Sequence, residues 1–311
     1  MKDKGIELLR NYKDFDCEIV TDLSRENLLL KLPEFDGITL RRGKIDREIL
    51  SKCNKLKVIA RHGVGYDSVD TECLKEKGIT LLVAHNSTST SPAEHIMFMI
   101  MNIYKGVSMF DTMVRSGAFV KAIHLNIQQN FELFNKTVLI AGFGRIGKKL
   151  IKKCLGFDMK VHVFDPYVDD VTIESFGGIK IASLEEGLKK ADILSLSLPL
   201  NNETKNFITL KEMKLMKKSS IIINTARGGV VNEEDLNNAL DNNIIAFAGI
   251  DVFEKEPPKT TNPLIVNKKV VLSPHAATFT KEGLESMAIE TAQNIIDFFE
   301  NKIENTKIIK L

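Results

Sequence analysis

The sequence has no surplus of charge in either direction. Its 43 basic and 41 acidic residues leave a formal net charge of +2. That balance gives no reason to bind nucleic acid or an anionic membrane surface. Long hydrophobic runs are also missing. The longest apolar stretches lie around Ile96–Ile103 and Ile221–Ile223, far short of the roughly 20 residues that span a bilayer. The opening Met1-Lys-Asp-Lys-Gly-Ile is too polar for a secretory signal. The four cysteines, Cys17, Cys53, Cys73 and Cys154, stand far apart and form no CxxC pair, so they read as reduced thiols. No His, Cys and Asp cluster has metal-ligand spacing. Internal repeats and low-complexity tracts are absent. A cytoplasmic, soluble protein without metal is the expectation.

What is present is alternation. The 311 residues suffice for two domains. Strand-like runs at Cys17–Thr21, Gly37–Leu40, Lys57–Ala60 and Ile79–Ala84 alternate with helical patterns at Asp46–Ser51 and Val69–Lys77. Further strands are expected at Thr137–Ala141, Lys160–Phe164, Asp192–Leu198, Ser220–Asn224, Ile244–Asp251 and Lys269–Ser273. Helices at Arg145–Leu155, Leu184–Lys190 and Glu233–Asn242 fill gaps between them. Such a rhythm makes an α/β protein with parallel sheets covered by helices on both faces. Two longer helices stand apart, one from Ser91-Pro92 to about Tyr104 and one from about Lys281 to Phe299. Pro92 suits a first helical turn. A chain leaving one domain by the first and returning by the second makes two lobes, 1–95 with 281–311, and 96–280.

Val138-Leu-Ile-Ala-Gly142-Phe-Gly144-Arg-Ile-Gly147 matches G-x-G-x-x-G directly after an apolar strand and before a helix. That context makes the pattern specific. Gly142 permits the tight turn, Gly144 lets the backbone approach a pyrophosphate, and Gly147 lets helix and strand pack closely. The helix N-terminus offers its N–H groups to phosphate, and Arg145 is placed to reach one. The next strand ends in Asp165, at the distance expected of a ribose 2′-hydroxyl ligand. Its carboxylate would repel a 2′-phosphate, so NAD is expected rather than NADP.

Ligands of open parallel sheets bind beyond the carboxyl ends of the strands. Those ends carry Thr225-Ala-Arg227-Gly-Gly, Gly249-Ile-Asp251 followed by Val-Phe-Glu254-Lys-Glu256, and Ser273-Pro-His275-Ala-Ala. The set suits hydride transfer to a 2-keto acid. Arg227 can hold the carboxylate and keto oxygen through its planar fork. The two glycines after it read as removing bulk, so that nicotinamide and substrate reach the backbone. His275 can protonate the oxygen as hydride arrives. A carboxylate would orient that ring, and Glu256 is chosen, with Glu254 an alternative on spacing alone. Asp251 reads as a ligand of the nicotinamide ribose, with a turn cap as its alternative. His62, in a glycine-rich loop, is a candidate substrate contact. His85, His95, His124 and His162 read as packing or surface residues. Asn232 reads as the cap of the helix that follows.

Together, Gly142-Phe-Gly-Arg-Ile-Gly147 with Phe164-Asp-Pro-Tyr167, Asn224-Thr-Ala-Arg-Gly-Gly-Val-Val231, Asp251-Val-Phe-Glu-Lys-Glu-Pro257 and Ser273-Pro-His-Ala-Ala277 resemble the D-isomer-specific 2-hydroxyacid dehydrogenases. Within that family the chain is most similar to the D-3-phosphoglycerate dehydrogenases. The resemblance covers nearly the whole chain and implies a Rossmann NAD-binding domain inserted in a flavodoxin-like substrate domain, both doubly wound. It implies a catalytic set of Arg227, Glu256 and His275. Cofactor contacts would fall on Gly142, Gly144, Arg145, Ile146, Gly147, Asp165, Thr225, Ala226, Asp251 and Ala277. The backbone N–H groups of Val64 and Gly65 would bind the substrate carboxylate. A homodimer built mainly through the nucleotide domain, and cleft closure on binding, are implied too.

Two departures accompany the resemblance. The family usually opens with a strand, whereas this chain opens on what reads as a helix, Gly5–Arg10. Leu40-Arg41-Arg42-Gly43-Lys44 stands where phosphoglycerate dehydrogenases carry an Arg-Ser-x-Thr-Lys-type stretch. Arg41 can still grip a phosphate, with Arg42, Lys44 and Arg61 completing a basic patch. No C-terminal regulatory module is expected after the last helix. The expected substrate pair is 3-phosphoglycerate and 3-phosphohydroxypyruvate, as in serine biosynthesis. A hydroxypyruvate, glyoxylate or D-lactate type reductase is the alternative. A more remote one is an NAD-sensing, corepressor-like binding protein.

Overall fold

The computed structural model describes residues 1–85, 87, 89–124 and 130–311. The chain divides into two compact units, Met1–Thr88 with Thr278–Leu311, and Ser89–Ala277. These boundaries differ from 95/96 and 280/281 read from the sequence. The Thr90–Lys105 helix belongs wholly to the second unit, because Ala93, Ile96, Met99, Ile100 and Ile103 are buried in that unit's core.

The first unit holds a parallel three-stranded sheet, β1 (Gly37–Leu40), β2 (Val58–Arg61) and β3 (Thr80–Val83), in the order β1-β2-β3. Its two faces are covered separately. Ile59 and Leu81 pack with Ile49, Leu50 and Leu74 on one face, and Val58, Ala60 and Leu82 pack with Ala292, Ile295 and Ile296 of the Lys281–Phe299 helix on the other. The expected strand at Cys17–Thr21 does not form; those residues belong to no regular element. Their β-branched composition favours a strand, but a strand needs a neighbour to bond with, and among the described residues β1 pairs only with β2.

Among its described residues the second unit holds seven parallel strands: β4 (Thr137–Ala141), β5 (Lys160–Phe164), β6 (Ile179–Lys180), β7 (Ile193–Leu196), β8 (Ile221–Asn224), β9 (Phe247–Ile250) and β10 (Val270–Leu272). Their order is β10-β9-β8-β7-β4-β5-β6. Alternate residues go to opposite faces. Leu139, Leu194, Ile222 and Ala248 enter one core; Val138, Ile140, Ile193, Ile221 and Ile223 enter the other. Burial on both sides explains why these strands read as continuous apolar runs. The two-residue β6 escaped sequence reading because it is too short to show a period. The chain builds outward from β4 to β6 and then returns to β7 on β4's other side. The loops after β4 and β7 therefore part, and a crevice opens between them.

Candidate active site and dinucleotide cradle

The loop after β4 has the geometry its glycines require. Gly142 has φ +96°, and a Cβ there would lie 2.5 Å from the Ser197 carbonyl oxygen. A Cβ on Gly147 would lie 2.6 Å from the Gly142 carbonyl oxygen, whereas one on Gly144 would meet nothing within 4 Å. Gly144 thus faces open space at the start of the Arg145–Leu155 helix, whose first turn carries no acidic residue and no side-chain cap. Arg145 is exposed there and Ile146 half-buried.

Asp165 follows β5. Its carboxylate accepts the Phe143 N–H at 2.7 Å and the Tyr167 N–H at 2.9 Å. A carboxylate has about four acceptor positions, so capacity remains for ribose hydroxyls. A cavity of about 490 Å³ beside it is lined by Phe164, Asp165, Pro166, Asp170 and Lys180. An open phosphate seat at a helix N-terminus, with an acid beyond the next strand, fits a dinucleotide carrying free ribose hydroxyls.

The remaining loops sit beyond β8, β9 and β10. After β8, Asn224 is buried and holds the turn from within. Its side chain donates to the Arg227 carbonyl at 3.0 Å and accepts the Ala226 N–H at 3.1 Å. Thr225 and Ala226 are buried, so what they can offer a ligand is backbone. Arg227 is half-buried, and its Nη1 donates to the Ala226 carbonyl at 2.6 Å. Gly228 is not there to clear space for a ligand. A Cβ on it would collide with the backbone of Phe253 and Glu254, so the glycine lets the Arg227 turn pack onto the segment that carries Glu256.

His275 Nδ1 and Glu256 Oε2 are 2.8 Å apart. The other Glu256 oxygen accepts the Phe253 N–H at 3.1 Å. Glu254 is engaged elsewhere: it accepts the Glu233 N–H at 3.1 Å. The hydrogen bond that His275 makes to the Glu256 carboxylate raises the His275 pKa above its ordinary value, against burial, which lowers it. Burial pushes Glu256 up, but the His275 bond and charge, the Phe253 N–H and Arg227 outweigh it and leave the carboxyl lower than usual. The two shifts share one cause, a pair that is steadiest when both partners are charged.

His275 adopts a left-handed backbone, φ 53°, which costs a non-glycine residue about 1 kcal/mol. Asp251 holds it there. The His275 N–H donates to the Asp251 carbonyl at 2.7 Å, and the Ala276 and Ala277 N–H groups donate to the Asp251 carboxylate at 2.8 and 3.0 Å. Ser273 donates to the same carboxylate, and His95 Nε2 lies 2.9 Å from Ser273 Oγ and 3.6 Å from Asp251. Asp251 is fully buried, beneath the site rather than on its surface. Asn224 was not singled out from the sequence, and His95 was read there as a packing or surface residue. Asn224 carried a signal, an amide at the end of an apolar strand; His95 carried none, since its partners lie far along the chain.

In the first unit, Arg61 supports backbone instead of adding to a basic patch. Its guanidinium donates to the carbonyls of Gly65 at 2.6 Å and Leu40 at 2.9 Å. Arg41 and Val64 are exposed, and Gly65 is half-buried. His62 is 8% exposed, and its Nε2 has no partner. Burial brings its pKa down to about 4, so the ring is neutral at physiological pH. The four cysteines are free thiols. Among the described residues no group of three metal-ligating side chains clusters, and no helix is long and apolar enough to cross a membrane.

Known proteins agree with this layout. Residues 97–277 match the family model of the D-isomer specific 2-hydroxyacid dehydrogenase NAD-binding domain. The chain is 35% identical over 281 residues to a D-3-phosphoglycerate dehydrogenase of Methanocaldococcus jannaschii, covering 90% of this chain and 53% of that one. It is 36% identical over 308 residues to a glyoxylate reductase of Thermococcus litoralis, covering 97% and 92%. The chain spans about half the length of the curated phosphoglycerate dehydrogenases it matches. Among solved structures, an acyclic imino acid reductase in complex with NADPH and D-Arg superposes with a TM-score of 0.89 at 26% identity, covering 100% of this chain and 96% of that one.

Proposed function

Since the chain belongs to the D-isomer-specific 2-hydroxyacid dehydrogenases, we propose that it interconverts a D-2-hydroxy acid and its 2-keto acid, with NAD as hydride carrier. The observation that carries this reading is the His275–Glu256 pair at 2.8 Å, beyond the same sheet edge as Arg227 and the dinucleotide cradle. Bound NAD supplies or accepts the hydride at the substrate C2. The protein's residues do the rest. Glu256 engages Nδ1 and leaves Nε2 of His275 for the substrate oxygen. In reduction the imidazolium gives that oxygen a proton; in oxidation the neutral ring takes it back. Arg227 binds the carboxylate and the oxygen on which charge develops.

Two substrates have support. The 3-phosphoglycerate reading rests on exposed Arg41 and Arg42 after β1 and on likeness to phosphoglycerate dehydrogenases. The glyoxylate reading rests on a glyoxylate reductase matched along 92% of its length. Loss of NADH absorbance, measured side by side with 3-phosphohydroxypyruvate, glyoxylate, hydroxypyruvate and pyruvate, separates them. Turnover confined to unphosphorylated acids removes the first. Binding of NADH without turnover of any 2-keto acid removes the enzyme reading and leaves an NAD sensor.

The proposal includes a homodimer formed through the second unit. The Val107–Arg115 helix has no buried residue. Phe98, Phe119, Val120 and Ile123 are each more than half exposed, which supports a partner surface there.

A further inference from the structure

The turn that carries His275 hangs on a buried carboxylate. Asp251, just after β9, accepts the Ala276 and Ala277 N–H groups on its two carboxylate oxygens and the His275 N–H on its carbonyl. A carboxylate that rotated would release Ala276 and Ala277. Two side chains stand against that rotation, both within the second unit. Ser273 is set beside Asp251 by the pairing of β10 with β9, which continues past β10 with the Ser273 N–H donating to the Ile250 carbonyl at 3.0 Å. His95 arrives from the Thr90–Lys105 helix, far away in sequence.

The direction of each bond follows from what each atom can give. A carboxylate only accepts, so the single hydroxyl hydrogen of Ser273 goes to Asp251 Oδ1. Ser273 Oγ then has only acceptor positions left for His95 Nε2, 2.9 Å away. His95 Nε2 therefore carries a hydrogen and donates it. The bonds run one way, from His95 Nε2–H to Ser273 Oγ–H to Asp251 Oδ1, and each link polarises the next. The same Nε2 lies 3.6 Å from Asp251 Oδ1, so its N–H dipole also faces the buried oxygen. The helix keeps the ring in place. Ile96, Met99 and Ile100 are fully buried around it, and the ring, 17% exposed, packs against Phe98 at 5.9 Å.

We propose, on the proton-donor reading of His275, that His95 is a positioning residue for that ring, acting through Ser273 and Asp251. The imidazole aims the Ser273 hydroxyl at the carboxylate. The carboxylate then keeps the orientation that serves Ala276 and Ala277, and the left-handed turn at His275 is held with it. What position 95 must supply is a hydrogen-bond donor, and variants can be ranked on that alone. His95→Gln keeps an N–H at about the reach of Nε2. His95→Leu keeps the bulk and loses the donor. His95→Glu sets an acceptor against Ser273 and a second carboxylate near Asp251. A packing role alone gives another order, with the leucine variant retained and the glutamine variant no better.

Two measurements on the full chain test this. Amide exchange, resolved by residue with NMR and no substrate added, reads the turn directly. Exchange at Ala276 and Ala277 should rise about tenfold in His95→Leu, the worth of roughly one hydrogen bond, and further in His95→Glu. In His95→Gln it should stay within about twofold of the wild type. Ser273→Ala cuts the same link from its other end and should raise exchange at both amides, an outcome that does not depend on how His95→Leu folds. Steady-state reduction of a 2-keto acid should show kcat about tenfold lower in His95→Leu, restored in His95→Gln, with the KM for NADH within about twofold throughout. Equal exchange in the leucine and glutamine variants, or unchanged exchange in Ser273→Ala, overturns the proposal. So does exchange that follows the ranking while kcat stays at the wild-type level. A wild-type chain that reduces no 2-keto acid overturns the dehydrogenase reading instead, and the exchange ranking, which needs no turnover, tells the two failures apart.

Discussion

At the scale of the residue, the site is a proton donor with its charge prepared. His275 is held above its ordinary pKa by Glu256, so its imidazolium persists above about pH 6.5. Reduction uses that protonated form. Its kcat/KM should be highest on the acid side and fall as pH rises through the raised pKa, with oxidation showing the mirror trend. Glu256→Gln removes the main cause of the shift, and the fall in reduction should move to lower pH. A pH–rate profile that does not move detaches Glu256 from the proton. His275→Gln should lower kcat by about two to four orders of magnitude with a small change in KM; unchanged kcat would place the donor elsewhere. For Asp165→Ser, the ratio of NAD to NADP turnover should fall. The carboxylate that excludes a 2′-phosphate is then gone, although the Phe143 and Tyr167 N–H groups it binds lose a partner at the same time.

At the scale of the element, the strands position the site and the loops lock one another. Gly228 is the point of contact between the Arg227 turn and the Glu256 segment. Gly228→Ala should destabilise the protein by about 2 kcal/mol or more, lowering Tm by roughly 5 °C. It should also depress kcat/KM, because Arg227 and Glu256 cannot both keep their places. Thermal melting with parallel kinetics checks this; a variant with normal Tm and activity would show that the two loops yield independently. The same contact shows where the sequence stops being legible. Runs such as Thr137–Ala141 and Ile221–Asn224 announce strands because both their faces are buried, and the glycines of the first βα turn announce a cradle because only a short local turn decides them. Gly228 looked like clearance for a ligand because its real neighbour, Phe253, is brought to it by tertiary packing. For Asp251 the sequence left a nicotinamide-ribose ligand and a turn cap side by side for the same reason: its burial and its hold on Ala276 and Ala277 depend on how β9 and β10 pair. Cys17–Thr21 has the composition of a strand, but composition does not supply a hydrogen-bonding neighbour.

At the scale of the whole molecule, the exposed helices of the second unit set the last expectation. The Val107–Arg115 helix is nine residues long and buries none of them, and the five-residue Phe119–Ile123 helix buries only Ala122. Isolated helices shorter than about 12–15 residues are marginal in water, so these two need a surface to lie against. Phe119, Val120 and Ile123 are 58%, 65% and 64% exposed; three large apolar side chains this close together form a patch that a second copy of the chain can cover. A twofold dimer would bury the patch against itself or its neighbour and steady both helices. Val120→Asp together with Ile123→Asp introduces two charges where apolar contact is required, and should shift sedimentation from dimer to monomer at micromolar concentration. Because those residues lie outside the Rossmann core, NAD affinity should change little, while the melting transition should fall and lose its dependence on protein concentration. A wild-type chain that sediments as a monomer would remove the dimer, and a double variant that stays dimeric would place its surface elsewhere on the molecule.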